Sequence, residues 1–494
     1  MVKRPLFSFF AKKSYPAPVI FLYRRGNSEK SNLMKNWALQ GKLSPTDILF
    51  LVAYALICIF IGFYSGRRQK SEDYMMAGRN VGIWGFVFSV VASYIGGAAL
   101  VAYSAYVYRF GISALAVFAG TAAGFLVFIP YALKIRRISN QNRFYTLSDW
   151  FFFKYGRKTG LLSSLILFVV YFGMLVNQFI AGSSILSVIS GWSYESSLIL
   201  AGLIISVYLF AGGFSSVIKT DIFQYLVLFI ILLITGWIMF DRSAIPVDEV
   251  MDFSRMDTGM TIAFLAFGIF IVFQSAEYWQ RVYAARDMRV VKNGLIWSAV
   301  MVVITGLAIT LIGLNAHHRL PHLAPENAFA AGISLIFPAH LLGAGLVMIF
   351  AAIMSSADTI IFVLASSVAS DYWDRWQKRR GRETNVALAT RWLTVGFSLL
   401  GVLSALIFRD LVQVIVFITG LGFTIIPAAI ASFHLRLSSQ TVAASFASGS
   451  AYVLLIMLAG KLVPEYSIAS IAISAVVLMG GWLRDRKNLK DPVN

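Results

Sequence analysis

The chain alternates long apolar runs with short breaks rich in charge, glycine or proline, almost from end to end. A helix needs about 20 mostly apolar residues to cross the hydrocarbon core of a bilayer. On that scale the runs give thirteen candidate spans. The first lies near 46–66 and is numbered 0. Spans 1–5 lie near 82–108, 112–135, 160–190, 196–213 and 217–240, and spans 6–12 near 260–280, 293–316, 340–370, 386–408, 411–434, 440–460 and 466–483. Several exceed the length of a straight crossing, which leaves room for tilt or interruption. The segment Thr146–Lys158 reads instead as a short helix in the headgroup zone, capped by Thr146 or Ser148 and carrying aromatic and basic residues.

Composition sharpens this into a class. Of 494 residues, 58% are hydrophobic and 13% charged, against about 45–50% and about 25% in a soluble domain. An all-α polytopic membrane protein fits; a soluble enzyme, a disordered chain and a nucleic-acid binder do not. The net charge of +19 has a distribution. Loops on the even side and the C-terminus hold 27 of the 42 Lys and Arg residues, the odd side six and the first 45 residues nine. That asymmetry places the C-terminus, residues 484–494, in the cytoplasm. An odd number of spans then puts the basic tail 1–45 outside, which its charge resists; either the chain starts biologically at Met34 or one span is miscounted. The only cysteine, Cys58, lies in an apolar run, so no internal disulfide forms.

Polar side chains are costly in lipid, so those inside spans are functional candidates. In span 8, Ala352, Ser355, Ser356 and Thr359 share one helical face, with Asp358 deep in the span. Such oxygens suit a hard cation or, through the carboxyl, a proton; the other reading of the small residues is helix packing. Span 1 contains Gly96-Gly97 beside Ala92, Ser93 and Ala98. It is either a point where the helix unwinds, exposing carbonyls, or a packing seam. Lys219, Asp221 and Gln224 open span 5, and the carboxylate either reaches inward or, as the favoured reading of it alone, pairs with a basic loop residue. Glu277 and Arg281 in span 6 are spaced for an i, i+4 ion pair. His317, His318 and His322 read as a solvated loop. No phosphate-binding loop, HExxH or nucleophile-elbow motif occurs, so no enzyme activity is expected.

Spans 1 and 6 both carry interruptions, and they lie five spans apart. An odd repeat length inverts the second copy, as in LeuT-type transporters, with ligand sites at the midplane between broken helices.

Four stretches carry a resemblance: SEDYMMAGRNVG (71–82), GGFSSVIKTDIFQ (212–224), YWQRVYAARD (278–287) and AIMSSADTIIFVLASSVASD (352–371). In this order they resemble motifs of the sodium:solute symporter family. The resemblance implies a LeuT-type 5+5 inverted repeat with about 13 transmembrane helices. The first five-helix repeat covers 82–240 and the inverted second 260–434, with an extra helix at 46–66 and two more across 440–483. It implies a sodium site at the carbonyls of Ala92, Ile95 and Ala352 and the hydroxyls of Ser355 and Ser356. A second sodium site, used by some members, maps to Asp221, Asp358 and Thr359 with Ser355. Asp358 departs from the hydroxyl of glucose-type members and is similar to the SSAD of choline-type ones. Substrate is expected beside the breaks, near Ser93, Tyr94, Gly97 and Gln274. Sugar-type polar residues around the span 1 break, and the proline-type carboxylate at Tyr94, are absent.

The expected function is sodium-coupled secondary active symport of a small organic solute by alternating access, in the cell inner (plasma) membrane among lipid. Sodium is the coupling ion, with no organic cofactor and no nucleic-acid partner. Proton coupling through Asp358, or a non-transporting sensor or scaffold on the same fold, are the other readings.

Overall fold

The computed structural model describes residues 44–488 apart from 68, 243–244, 337–341, 408–410 and 463. The basic tail 1–43, and with it the Met34 start, lies outside the described residues. Among those residues the chain is helical throughout, apart from one isolated bridge.

The helices are α1 (Pro45–Gly66), α2 (Ile83–Tyr94), α3 (Gly97–Phe110), α4 (Ala116–Asn142), α5 (Leu147–Ser190), α6 (Tyr194–Arg242) and α7 (Thr258–Gln274). They continue as α8 (Ala276–Ala284), α9 (Met288–Arg319), α10 (Leu342–Ser367), α11 (Val386–Ile407), α12 (Leu411–Phe423), α13 (Ser439–Leu458) and α14 (Pro464–Asn488). Ten described helices are long and apolar enough to cross a membrane, or eleven if the bent pair α7–α8 counts as one. That is fewer than thirteen because the expected spans 4 and 5 form the single helix α6, and span 1 is split into α2 and α3. Gly213 makes the bend in α6: it sits at φ +55, and a Cβ there would meet the Tyr74 ring at 2.6 Å.

Helix ends follow local chemistry. Thr146 caps α5, accepting from the Asp149 N–H at 3.2 Å while Asp149 accepts from the Thr146 N–H at 3.0 Å. The interfacial segment is therefore the first turns of α5, turned off by Gly156 at φ +75. Ser44 caps α1 in the same way with Asp47, and the free oxygen of Asp47 accepts from the Gly343 N–H at 2.6 Å, tying α1 to α10.

Burial sets the architecture. Helix α10 is enclosed along its apolar length, packed against α5, α6, α11 and α1. By contrast α1, α11 and α14 leave most of their apolar surface outward, as lipid-facing helices do. The bridge pairs Val81, before α2, with the end of α8: Val81 N–H donates to Ala284 at 3.0 Å, and Arg286 N–H to Val81 at 2.9 Å.

Candidate functional site

Two breaks face the central helix α10. The first separates α2 from α3 at Ile95-Gly96, where Ile95 adopts φ −91, ψ 65. Ending α2 at Tyr94 frees the carbonyls of its last turn. The Ser355 hydroxyl donates to the Ala92 carbonyl at 3.2 Å and to Ala352 at 3.1 Å. The Ser356 hydroxyl lies 3.2 Å from the Ser93 carbonyl and 3.5 Å from that of Ala92. Ala92, Ala352, Ser355 and Ser356 thus converge, with the Ile95 hinge beside them, all buried. The set consists of neutral oxygens from two helices, the donor chemistry that hard cations take.

Gly96 is required by this approach. A Cβ there would sit 2.9 Å from Ser356 Cβ and closer still to two polar side-chain atoms. One of those belongs to Gln178 on α5, which sequence reasoning missed. Its Oε1 accepts from the Ala98 N–H at 3.2 Å, satisfying one of the orphan amides that open α3. A glutamine within an apolar run was the available signal.

The second break, at Ser275 (φ −75, ψ 103), bends α7 from α8 by 51°. It redirects Arg281. Glu277 and Arg281 do not form the expected side-chain pair: the Glu277 carboxylate accepts from the Tyr171 hydroxyl, and Arg281 Nη1 meets only the Glu277 carbonyl, at 3.3 Å. The guanidinium instead enters the interior with no exposed surface and pairs with Asp221 at 3.1 Å. Nη2 also donates to Thr359 at 2.8 Å and Ser93 at 2.9 Å, and Nε to Ser89 at 2.9 Å. Ser89 donates in turn to the same Asp221 oxygen. Asp221 therefore has a buried partner on α8, and no basic loop residue.

The three residues expected to share a second sodium site are divided. Asp221 and Thr359 meet around Arg281, whereas Asp358 accepts from Tyr208 at 2.8 Å and Thr220 at 3.3 Å, both on α6. Its other oxygen has no hydrogen-bond partner, as is true of Gln224 Oε1 and the Tyr54 hydroxyl nearby.

The expected substrate residues are closed in by neighbours. The Tyr94 hydroxyl accepts from Tyr103 at 2.6 Å and Thr121 at 2.8 Å. Ser93 is engaged by Arg281, Gly97 packs on Ile353, and Gln274 lies against Gly422 with Oε1 unpartnered. They flank the two breaks without meeting one another in a shared hydrogen-bond network.

Comparison with known proteins follows this geometry. The profile of the sodium:solute symporter family matches residues 74–435. Sodium/proline symporters of Staphylococcus aureus strains RF122 / ET3-1 and USA300 / TCH1516 are each 25% identical over 353 residues, covering 66% of this chain and 68% of theirs. Among solved structures, a Na+-coupled sialic acid symporter in a substrate-bound outward-open state matches with TM-score 0.77 at 17% identity, covering 89% of this chain and 97% of that one. A nucleobase-cation-symport-1 family transporter, closed with bromovinylhydantoin bound, matches with TM-score 0.58 at 13% identity, covering 84% and 95%. At these identities the structural likeness shows the fold, which is that of LeuT-type transporters.

Proposed function

The chain belongs to the sodium:solute symporter family, a family of transporters and not of enzymes, and from that premise we propose that it is a sodium-coupled symporter of a small organic solute. The observation that supports this best is the meeting of the Ser355 and Ser356 hydroxyls with the carbonyls of Ala92 and Ser93 at the α2 break. Sodium binds there, to Ala92, Ile95, Ala352, Ser355 and Ser356, and bridges the broken helix to α10. Solute binds beside the breaks, near Ser93, Tyr94, Gly97 and Gln274, once the neighbours that close them in move apart. Ion and solute favour the same state, so each raises the other's affinity by the same factor.

The topology in this reading has thirteen crossings, with α6 counted twice and each broken pair once. The repeats are 82–240 and 260–434, the protein is multi-pass in the cell inner (plasma) membrane, and its C-terminus is cytoplasmic.

The test has two stages. Thermal shift of the purified protein, with and without sodium, is measured across a solute panel that includes proline; a solute that stabilises only in sodium is the substrate. Uptake of that solute into proteoliposomes is then driven by a sodium gradient, with Ser356→Ala alongside. Sodium-dependent uptake that weakens in Ser356→Ala is expected. Uptake driven only by a proton gradient and abolished by Asp358→Asn would refute sodium coupling, and a protein that binds but never accumulates solute would refute symport.

A further inference from the structure

We propose that the cavity where α1 ends and α2 begins is a headgroup site for an anionic phospholipid with a hydroxylated head, of which phosphatidylglycerol is the simplest. The inference needs the chain to lie in a bilayer. It does not depend on sodium coupling or on the solute.

The cavity holds about 470 Å³ and opens between the end of α1, the turn before α2 and the stretch of α6 just past its bend at Gly213. These meet where apolar runs stop, the depth at which headgroups lie. Directly after α1 the sequence reads Arg-Arg-Gln-Lys over 67–70, a basic step off a membrane helix of the kind that attracts anionic lipid.

Two cations line the cavity from different elements. Arg67 follows α1, and Lys219 projects from α6 with its Nζ 5.7 Å from the centre of the Tyr64 ring on α1. Asp73 is the one carboxylate among the described lining residues, and its Oδ2 already accepts from the Lys70 N–H at 3.0 Å. The start of α2 adds to the positive side. Gly82 caps that helix without a side chain, leaving its first amides uncapped. A Cβ at Gly82 would meet nothing within 4 Å, so the helix start faces open cavity, an arrangement that favours phosphate. Ser65 is a second, independent sign. It is only 5% exposed and lines the same cavity with a hydroxyl that has no partner among the described residues.

Gln69 decides the kind of head. Its amide nitrogen is spent on the Gly212 carbonyl at 3.0 Å, while its buried Oε1 has no partner among the described residues. A free acceptor beside a phosphate calls for a donor on the ligand, which the hydroxyls of a glycerol head supply. An ammonium head would instead meet Arg67 and Lys219 as like charges. Tyr64 on α1 and Trp84 on α2 face outward, amphipathic rings of the sort that lie at headgroup level.

Titration of phosphatidylglycerol into the delipidated full-length protein in neutral detergent, with bound lipid counted by native mass spectrometry, tests this. One phosphatidylglycerol should be retained per protein at concentrations where phosphatidylcholine and phosphatidylethanolamine are not. Arg67→Gln/Lys219→Gln should weaken retention roughly 25-fold, about fivefold for each basic residue. Gly82→Asp should weaken it while keeping the fold, since φ −78, ψ 175 suits any residue and aspartate is a good helix cap. Equal retention of the two neutral lipids would overturn the proposal, a result that needs no variant, and so would unchanged affinity in folded Gly82→Asp. Inorganic phosphate that competes at the same concentration as the lipid would make this a free-anion site and overturn it as well.

Discussion

Two polar clusters lie on neighbouring stretches of α10, yet they solve the problem of polarity in lipid in opposite ways. Around Ser355 and Ser356 every oxygen is neutral and every partner is a carbonyl or hydroxyl. Around Thr359 an ion pair, Arg281–Asp221, is sealed from solvent; it is made through one carboxylate oxygen, and the other has no hydrogen-bond partner among the described residues. In the proposed reading the first cluster takes and gives up a cation, its hydroxyls turning from carbonyl donors to ligands. The second is already neutral, and removing either charge leaves the other stranded. The two clusters thus differ less in residue types than in whether the chain supplies a charge and its counter-charge.

Breaking the ion pair should produce the largest effect. Asp221→Ala leaves a buried guanidinium without its carboxylate and should cost about 3–5 kcal/mol, read as a lowered unfolding midpoint in detergent. A loss below 1 kcal/mol, in the same measurement, would mean that the hydroxyls alone satisfy the guanidinium. Gly96→Ala attacks the neutral cluster instead. Its methyl group meets Ser356 and Gln178, so α10 must shift; about 1–3 kcal/mol of stability should be lost, together with sodium affinity. Unchanged sodium binding there would detach Gly96 from the site. Gln178→Leu removes the acceptor of the Ala98 amide and should cost about 1–3 kcal/mol, toward the lower end where α3 can rewet; an unaltered midpoint would show that Gln178 is dispensable for the break.

The smallest effect lies outside the membrane core and calibrates the others. Glu72 pairs with Arg79 at 2.5 Å and accepts from Tyr145 at 2.8 Å. Partial burial pushes its carboxyl upward, but the Tyr145 hydrogen bond and the Arg79 charge outweigh it and hold the value below the ordinary 4.5. A depressed carboxylate stabilises the fold above its unfolded-state value, and that contribution disappears as pH falls through the folded one. Unfolding followed from neutral pH downward should therefore lose less in Glu72→Gln than in the wild type. Equal acid sensitivity would exclude Glu72 as the source.

Much of this was legible without coordinates, for identifiable reasons. Gly96-Gly97 reads as either a break or a packing seam and proves a break, and Thr146, one of two candidate caps with Ser148, is the one that caps α5. The Ala-x-x-Ser-Ser face of α10 followed from helical period. Arg281 was misread because the i, i+4 rule describes a helix surface, and the turn at Ser275 decides which side of α8 is surface. Asp358 is grouped with Asp221 through the family resemblance, yet Tyr208 and Thr220 hold it toward α6; no local pattern announces partners about 150 positions away. Nor does a local pattern announce that the expected spans 4 and 5 run on as the one bent helix α6, with Gly213 at the bend against Tyr74.

The bridge between Val81 and Ala285 has a mechanical meaning. It stitches the chain leading into the first broken helix to the chain leaving the second. Two backbone bonds thus tie the entry to α2 directly to the exit from α8. A displacement of the chain entering the helix that carries Ala92 is thereby passed through backbone bonds to the chain leaving the helix that carries Arg281.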